Sequence, residues 1–414
     1  MERPPFLAIA AIALAVAMTL GEGVGLGALG LLAAAMWRRR NEDTHWDSVA
    51  LYPALGIGIW LGAGVLAWVL GGYGVMDIGE IGRWMSFSAL VVVPLSVQRL
   101  PPRWLDRIGQ AYFATLLLAV VFALGTVALN ARPGEWLVRG ASNGIHQGRR
   151  PFDSSRTVAG GFYFHRLKFA HVACLGAIAM VARQLALPLK PGRRALEGAA
   201  LVATLVALLL TYVRADVLGL ATGMFVMGLF AGRRSQFALV ALALLSVIGI
   251  AAVPSVSERV ASIFAAQASS ERALIWSQAV RIIADHPMGV GLGNYSSVVS
   301  AYYDTVDPAF PTRTYGHNLW LTQWAETGPL GVMGFLGGFI AVAYRARFRL
   351  PDPHALCLIG GTACFLTIGL THDVFYDPPV ALSYTTVLAF CAARLFDLAP
   401  AASRESEPYA KERS

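Results

Sequence analysis

The stretch YGHNLWLTQWAETGPLGV, residues 315–332, has a polar start followed by an apolar helical pattern. It places His317 at the water-facing end of that helix and Glu326 further inside. Histidine titrates near neutral pH, and an ionisable group inside an apolar span usually pairs or has a function. The stretch therefore predicts a membrane helix with a chemically active group at the point where the chain enters the bilayer.

Composition assigns the whole chain to the membrane class. Of its 414 residues, 56% are hydrophobic and 14% are charged, and the mean hydropathy is +0.57. One soluble core cannot bury so much apolar surface, whereas repeated runs of about 17–25 apolar residues fit membrane helices. We predict an all-α polytopic integral membrane protein with about twelve transmembrane helices. The predicted spans are 6–20, 24–36, 49–70, 84–98, 108–129, 161–182, 195–213, 215–231, 237–253, 317–343, 355–371 and 379–396.

Positive charge alternates between span ends and predicts the orientation. With Met1 on the inner side, the inner segments hold 19 of the 33 Lys and Arg residues in 72 positions. The outer segments hold 10 in 117 positions. This is the positive-inside pattern, so both termini are predicted to be cytoplasmic. The basic balance is then a signal of topology, and no nucleic acid is expected as a partner.

The domain organisation follows from the same pattern. We expect a single transmembrane domain over 1–398, with two long outer loops at 130–160 and 254–316. The larger loop faces the periplasm and is predicted to carry an amphipathic helix. Residues 399–414 are polar and are predicted to form a disordered cytoplasmic tail.

No metal or cofactor motif is found in the sequence. The four cysteines all fall inside predicted spans, which indicates neither a disulfide framework nor a zinc site. P-loop, GxSxG and HExxH patterns are absent, and the outer loops offer no compact pair of carboxylates for Mg²⁺ or Mn²⁺. We therefore expect a site without cofactor or metal, in which arginines supply the positive charge.

Two segments place cations at the outer ends of neighbouring spans. Arg166 and Lys168 open the span after the first long loop, and Arg214 and Asp216 lie at a tight hairpin between two spans. An isolated Arg is costly in a membrane, so it is kept where it snorkels, pairs or binds an anion. Snorkelling of Lys168 and a local Arg214–Asp216 pair are the alternatives to a ligand-binding role.

A third cation, Arg272, lies in an amphipathic helix predicted within 269–295. Its apolar positions follow the helical spacing, and Pro287 ends it; they are Trp276, Ala279, Val280 and Ile283. A cation in the first turn opposes the helix dipole, and a bound anion would offset that conflict. A solvated Arg on an interfacial helix is the alternative.

His317 is the fourth candidate. A helix N-terminus disfavours a protonated imidazole, so His317 is expected to stay neutral and available as a base. A structural histidine at the interface is the alternative. Tyr315 and Asn318 flank it as candidate supporting residues. Glu326 lies about 13 Å deeper at helical rise and is expected to be a hydrogen-bonded structural carboxylate.

Four motifs follow one another between positions 205 and 335. They are TYVRADVLGL (211–220), SSERALIW (269–276), DHPMGVGLGNY (285–295) and GHNLWLTQWAETGPLGV (316–332). Their order and spacing resemble the bacterial O-antigen ligase family, which also includes O-antigen polymerases. The family's Arg usually lies in a Ser-Arg-Gly triplet, whereas this chain has Val213-Arg214-Ala215.

The resemblance implies a metal-independent, inverting glycosyltransferase at the periplasmic face of the bacterial inner membrane. The implied donor is a glycan on a polyprenyl (undecaprenyl) diphosphate, and the implied acceptor is a sugar hydroxyl on lipid A-core, as in lipopolysaccharide biosynthesis. His317 would act as the base, Arg214 and Arg272 would bind the diphosphate, and Arg166 would assist them. The next candidates for the base are His165, His171 and His372.

Other functions stay open at this point. A polymerase of O-antigen or exopolysaccharide repeat units, with a growing polysaccharide as acceptor, and a protein O-oligosaccharyltransferase would use the same donor. A transporter or flippase for a lipid-linked glycan is the non-enzymatic alternative, because it also needs a cationic cavity. A transporter needs access from both faces, whereas the candidate residues cluster on one. That asymmetry favours the enzyme.

Overall fold

A computed structural model of the chain describes residues 6–20, 24–37, 48–71, 85–97, 100–131, 155–163, 165–231, 236, 266–303, 316–374 and 377–395. These ranges are built from α-helices, with short 3₁₀ turns at Ser86–Ser88 and Arg347–Arg349. No β-strand occurs within them. The all-α prediction is therefore confirmed for the part of the chain that the structure describes.

Thirteen α-helices lie within the described ranges. In chain order they are α1 (Phe6–Leu20), α2 (Val24–Trp37), α3 (Ser48–Gly71), α4 (Ala89–Val97), α5 (Pro102–Ala128), α6 (Arg166–Ala186), α7 (Pro191–Leu209), α8 (Arg214–Phe230), α9 (Ala266–Asp285), α10 (Tyr295–Tyr303), α11 (Leu319–Ala346), α12 (Pro353–Gly369) and α13 (Pro378–Leu395).

The helices overlap eleven of the twelve predicted spans, and the span 237–253 lies outside the described residues. By length and composition, four described segments can cross a membrane on their own. They are Leu51–Gly71, Pro102–Ala128, Arg166–Ala186 and Leu319–Arg349. These helices support a membrane location, while the count of twelve stays a prediction. The tail 399–414 and most of the loop 130–160 also lie outside the described residues.

Glycines bring pairs of helices into backbone contact. A Cβ atom added at Gly56 in α3 would lie 2.6 Å from the carbonyl oxygen of Gly334 and 2.9 Å from Gly338 Cα, both in α11. A Cβ atom at Gly223 in α8 would lie 2.7 Å from the carbonyl oxygen of Gly360 in α12. In lipid, such close approach increases the van der Waals attraction on which helix association depends. The pairs α3–α11 and α8–α12 are held in this way.

Helix α11 is broken near its middle, where the sequence predicted an uninterrupted helix. Gly328 has φ 63° and ψ −175°, and Pro329 follows it. Proline has no N–H, so the carbonyl of Ala325 loses its normal partner four residues on. The N–H of Val290 takes that place, at 2.9 Å from the Ala325 oxygen. The break is therefore satisfied by a loop from outside the helix.

The same loop is held against α11 by further contacts. The N–H of Gly291 donates to the Glu326 carbonyl at 2.9 Å, and the N–H of Tyr295 donates to Glu326 Oε1 at 3.4 Å. Gly289 has φ 91°, and a Cβ atom there would lie 2.5 Å from the Glu326 carbonyl oxygen. Only glycine allows this approach at that backbone angle. The glycine-rich segment thus joins α9 to the broken part of α11.

Helix α9 confirms the helix predicted after position 269, with a rotated apolar face. Its fully buried apolar residues are Ile275, Ala279 and Ile282, whereas Val280 is 52% exposed. The face that packs against the protein is thus one residue earlier than the apolar series that the sequence analysis named. One residue corresponds to about 100° around a helix of 3.6 residues per turn.

Substitution of Gly56 should show how much the α3–α11 contact contributes. Gly56→Ala pushes a methyl group into backbone atoms that cannot rotate away, and overpacking of this kind typically costs about 1–3 kcal/mol. Gly58→Ala is the matched control. Gly58 lies on a different face of the same helix, and a Cβ atom there meets nothing within 4 Å. The thermal midpoint of the detergent-solubilised protein should fall for Gly56→Ala only. Equal midpoints would contradict the backbone contact.

Candidate active site

The N-terminal ends of several helices meet at one end of the bundle. His171 in the second turn of α6 lies 2.7 Å from Asp216 in the first turn of α8, measured from Nδ1 to Oδ1. The ring of His372, which follows α12, lies 5.5 Å from the ring of His171. Next to it, Asp373 accepts a 2.6 Å hydrogen bond from Thr322 in the first turn of α11. The starts of α6, α8 and α11 are therefore neighbours.

A fourth helix joins this group through an ion pair. Lys168 Nζ in the first turn of α6 lies 3.2 Å from Oδ1 of Asp377, the residue before α13. The Lys168 side chain is 14% exposed, so the pair is largely shielded from solvent. Lys168 thus pairs rather than snorkels. With α13, four helix N-termini and their partial positive charges face one region.

Arg166 brings an incompletely paired guanidinium to this region. It is the first residue of α6, and its Nε and Nη1 atoms are buried without a hydrogen-bond partner among the described residues. Buried N–H groups are nearly always paired, because an unpaired donor costs the loss of its hydration. A guanidinium in this state at a helix N-terminus is suited to an anion.

His165 caps the same helix in a neutral form. Its Nδ1 accepts a 3.2 Å hydrogen bond from the N–H of Leu167. Burial lowers the pKa of His165 to about 4, because the opposing charge of Asp377 does not compensate and the cations Lys168 and Arg166 add to the shift. At neutral pH this imidazole therefore accepts a hydrogen bond without adding charge to the site.

The buried Asp216 pairs with another helix. Both Asp216 and His171 are almost fully buried, and the second carboxylate oxygen, Oδ2, has no hydrogen-bond partner among the described residues. Asp216 thus pairs with His171 of α6 and not with Arg214, which was the alternative considered from the sequence. The consequence of this contact is structural, because it fixes α8, and with it Arg214, against α6.

His372 lies beside His171 in the polar cluster. Burial lowers the pKa of His372 well below its ordinary value, and electrostatic interactions with His171, Arg272, His317 and His165 lower it further, in that order. A charge acts on a buried group in this way when it is a near neighbour. Arg272 from α9 and His317, two residues before α11, are thus near enough to His372 to act on its pKa.

His317 has a strained backbone. Its φ of 47° lies in the left-handed region, which only a few per cent of non-glycine residues adopt. On one side Asn318 caps α11, and its Oδ1 accepts hydrogen bonds from Trp320 N at 3.0 Å and Leu321 N at 3.2 Å. On the other side Gly316 is packed so closely that a Cβ atom would lie 2.4 Å from Thr322 Oγ1. Strain of this kind concentrates at functional sites.

Arg214 is the first residue of α8 and follows a second strained residue. Tyr212, two positions earlier, has φ 59°. Within the described ranges, the non-glycine residues with positive φ are Asn130, Tyr212 and His317. The backbone is therefore distorted two residues before Arg214 and at His317 itself.

Three neighbours of the site were missed by sequence reasoning, namely Thr322, Asp373 and Tyr295. Tyr295 Oη is buried without a hydrogen-bond partner among the described residues. Burial raises the pKa of this phenol, and the nearby acidic groups Tyr303, Asp373 and Glu326 raise it further, so it remains a donor. The signal for Asp373 was present in the His-Asp pair between two apolar spans, while Tyr295 and Thr322 carried none.

The remaining predicted supporting residues are Asn318, Glu326 and Tyr315. Asn318 is buried at the helix cap, as described above. Glu326 is 1% exposed and binds the loop at the break of α11, which is consistent with the structural carboxylate expected for it. Tyr315 lies outside the described residues. No group of three His, Cys, Asp or Glu side chains with metal-binding geometry occurs in the part of the chain that the structure describes.

These features define a helical membrane protein with a cationic, histidine-containing site at the N-termini of its helices. A family model described as O-antigen ligase matches residues 199–336, from α7 into α11. This match supports the assignment of the chain to the O-antigen ligase family, and with it a ligase- or polymerase-type glycosyltransferase function in a membrane. The matched segment contains Arg214, Arg272 and His317 but not Arg166. No curated protein matches the chain.

Removal of the Asp216 side chain should destabilise the protein. Asp216→Ala leaves His171 buried without its partner, which should cost at least about 1 kcal/mol. Asp216→Asn retains an oxygen acceptor and should recover most of that loss. The control is Asp106→Ala, since Asp106 forms an exposed ion pair with Arg394 at 3.2 Å and such pairs contribute little. Thermal unfolding in detergent measures the difference, and equal effects of Asp216→Ala and Asp106→Ala would refute the role of the buried pair.

Proposed function

We propose that the protein transfers a glycan from a polyprenyl (undecaprenyl) diphosphate donor to a sugar hydroxyl on lipid A-core, at the periplasmic face of the inner membrane. The observation that carries this proposal is the cationic cluster at four helix N-termini, with buried Arg166 N–H groups that lack a partner among the described residues. The O-antigen ligase domain supports the reaction class.

A diphosphate matches the charge of this cluster. Helix N-termini attract anions through their free N–H groups and their dipoles. A guanidinium can bind two phosphate oxygens at once, which favours arginine over lysine. Arg166 and Arg214 begin two of these helices, and Arg272 reaches the cluster from α9. Arg166 and Arg214 oppose the dipoles of their own helices, and a bound anion relieves that conflict. The first-turn position predicted for Arg272 was wrong, because α9 begins at Ala266 and Arg272 lies in its second turn.

The reaction follows from this arrangement as a single displacement. The acceptor oxygen attacks the anomeric carbon, the bond from that carbon to the diphosphate oxygen breaks, and the lipid diphosphate leaves with the electron pair. The arginines stabilise the charge that grows on the leaving group. His317 takes the proton of the attacking hydroxyl. One displacement inverts the anomeric centre, and no metal ion takes part in the proposed mechanism.

Other acceptors define the alternative activities. Polymerisation of repeat units, or transfer to a protein hydroxyl, uses the same donor and the same chemistry. Transport of the lipid-linked glycan is the non-enzymatic alternative. The candidate residues gather at one end of the helices, and this one-sided placement favours an enzyme. Incubation of the purified protein with donor and each acceptor, in EDTA, distinguishes these functions by the product formed.

Replacement of His317 tests the base. His317→Asn removes the imidazole while keeping a residue type that tolerates the left-handed backbone. Transfer should fall by about 10²–10⁴-fold, because general-base assistance is lost. Binding of the donor should be retained, since the arginines hold the diphosphate. The matched control, His354→Asn, alters a histidine near the opposite end of the helices, 3.0 Å from Asp352, and should transfer at the parental rate.

Two results would reject this assignment. Transfer by His317→Asn at the parental rate would make the histidine structural and would move the search to His165, His171 and His372. Loss of donor binding together with transfer would show that the imidazole binds the diphosphate or packs the site, which contradicts the division of roles.

Replacement of Arg272 tests the diphosphate clamp. Arg272→Lys keeps the charge but loses the planar fork, so turnover should fall at least about tenfold, equivalent to roughly 1.4 kcal/mol of transition-state stabilisation. Arg281→Lys is the control in the same helix, since Arg281 is exposed and packs over the ring of Tyr302 at 5.5 Å. Equal turnover of the two variants in the glycan-transfer assay would remove Arg272 from the site.

A further inference from the structure

A second site lies at the other end of the helices. A cavity of about 630 Å³ opens between α1, α5, α6, α7, α12 and α13. Arg183 on its rim belongs to the last turn of α6, about 25 Å from Arg166 at helical rise. The cavity is therefore separate from the histidine cluster, and the O-antigen ligase chemistry proposed above does not use it.

The walls of the cavity are mainly apolar. They include Leu14 of α1, Leu105 and Phe113 of α5, Met180 of α6 and Phe390 of α13. A cavity of this size with such walls favours hydrocarbon over water, because water needs several polar partners to remain in place. The interior therefore fits an acyl chain.

Two buried hydroxyl groups interrupt the apolar walls. Tyr112 and Thr386 are 6% and 5% exposed, and both line the cavity. Tyr112 Oη and Thr386 Oγ1 have no hydrogen-bond partner among the described residues. Buried hydroxyl groups are rarely left unpaired, so a ligand that occupies this space should supply acceptor oxygens at their depth.

The mouth of the cavity carries more arginines than carboxylates. Arg183 Nη2 lies 2.9 Å and Arg193 Nε lies 3.0 Å from Glu197 Oε1, and Arg394 Nη2 lies 3.2 Å from Asp106 Oδ1. All five residues line the cavity. Each guanidinium has five N–H donors, and these ion pairs engage only part of them. The remaining donors and the excess positive charge favour a phosphate at the mouth.

We propose that this cavity binds an anionic glycerophospholipid. The phosphate lies at the arginines, the ester carbonyl oxygens accept hydrogen bonds from Tyr112 and Thr386, and an acyl chain fills the apolar space. A free phosphate would leave the apolar walls uncovered. A zwitterionic lipid would bring its quaternary ammonium group towards three arginines. The basic segments at this end match the anionic surface of a cytoplasmic leaflet.

The test fills the cavity and measures lipid binding. Gly109 lines the cavity, and a Cβ atom there meets nothing within 4 Å, so Gly109→Leu occupies the space without a clash at the backbone. Gly125→Leu is the matched control in the same helix, because its Cβ atom is equally free and it does not line this cavity. The probe is dioleoylphosphatidylglycerol, titrated into the detergent-solubilised protein and followed by native mass spectrometry, with dioleoylphosphatidylcholine in parallel.

Parental protein and Gly125→Leu should bind the anionic lipid alike and prefer it to the zwitterionic one. Gly109→Leu should bind it at least about tenfold more weakly. Tyr112→Phe removes only the hydroxyl and should weaken binding about fivefold, which also tests the proposal if Gly109→Leu fails to fold. Equal binding by the Gly109 and Gly125 variants, equal affinity for the two lipids, or parental affinity in Tyr112→Phe would each overturn the proposal.

Discussion

The geometry of the rest of the site depends on the break in α11 at Gly328 and Pro329. It leaves backbone carbonyls without helical partners, and the N–H groups of the loop 287–294 satisfy them. An open carbonyl in a membrane costs several kcal/mol, so the loop and the helix stay together. Helix α9 precedes that loop, and α11 starts next to His317. The contacts between the loop and α11 therefore fix the position of Arg272 relative to His317.

The site concentrates fixed positive charge and little titratable charge. The positive charge comes from the arginines proposed for the site, whereas burial lowers the pKa of His165 and of His372, so these two stay neutral. Charge of this kind does not need to reorganise when a leaving group becomes more negative, which is how preorganised donors lower a barrier. The neutral imidazoles add hydrogen-bonding capacity without further repulsion among the cations.

The sequence predicted the helices and the charged candidates, because apolar periodicity and charge position are properties of one chain segment. It did not predict the break of α11, although Gly328 and Pro329 were visible, because Pro is tolerated in membrane helices when neighbours satisfy the freed groups. The contact of His171 with Asp216 depends on how two helices face each other, and pattern carries no such distance. The hydrogen bond that Asp373 accepts from Thr322 likewise depends on how α11 packs against the loop that carries Asp373.

Helix α6 carries an arginine at each end, and the helix dipole acts on the two arginines in opposite ways. At the C-terminal end, the negative end of the helix dipole stabilises the positive charge of Arg183, which is also paired with Glu197. At the N-terminal end, the positive charge of Arg166 is opposed by the positive end of the dipole, and its buried Nε and Nη1 groups have no partner in the part of the chain that the structure describes. The arrangement of Arg183 is stable without a ligand, so Arg183 can bind the proposed lipid but does not need it for stability. The arrangement of Arg166 is unfavourable without a bound anion, which is why we propose that the diphosphate binds there.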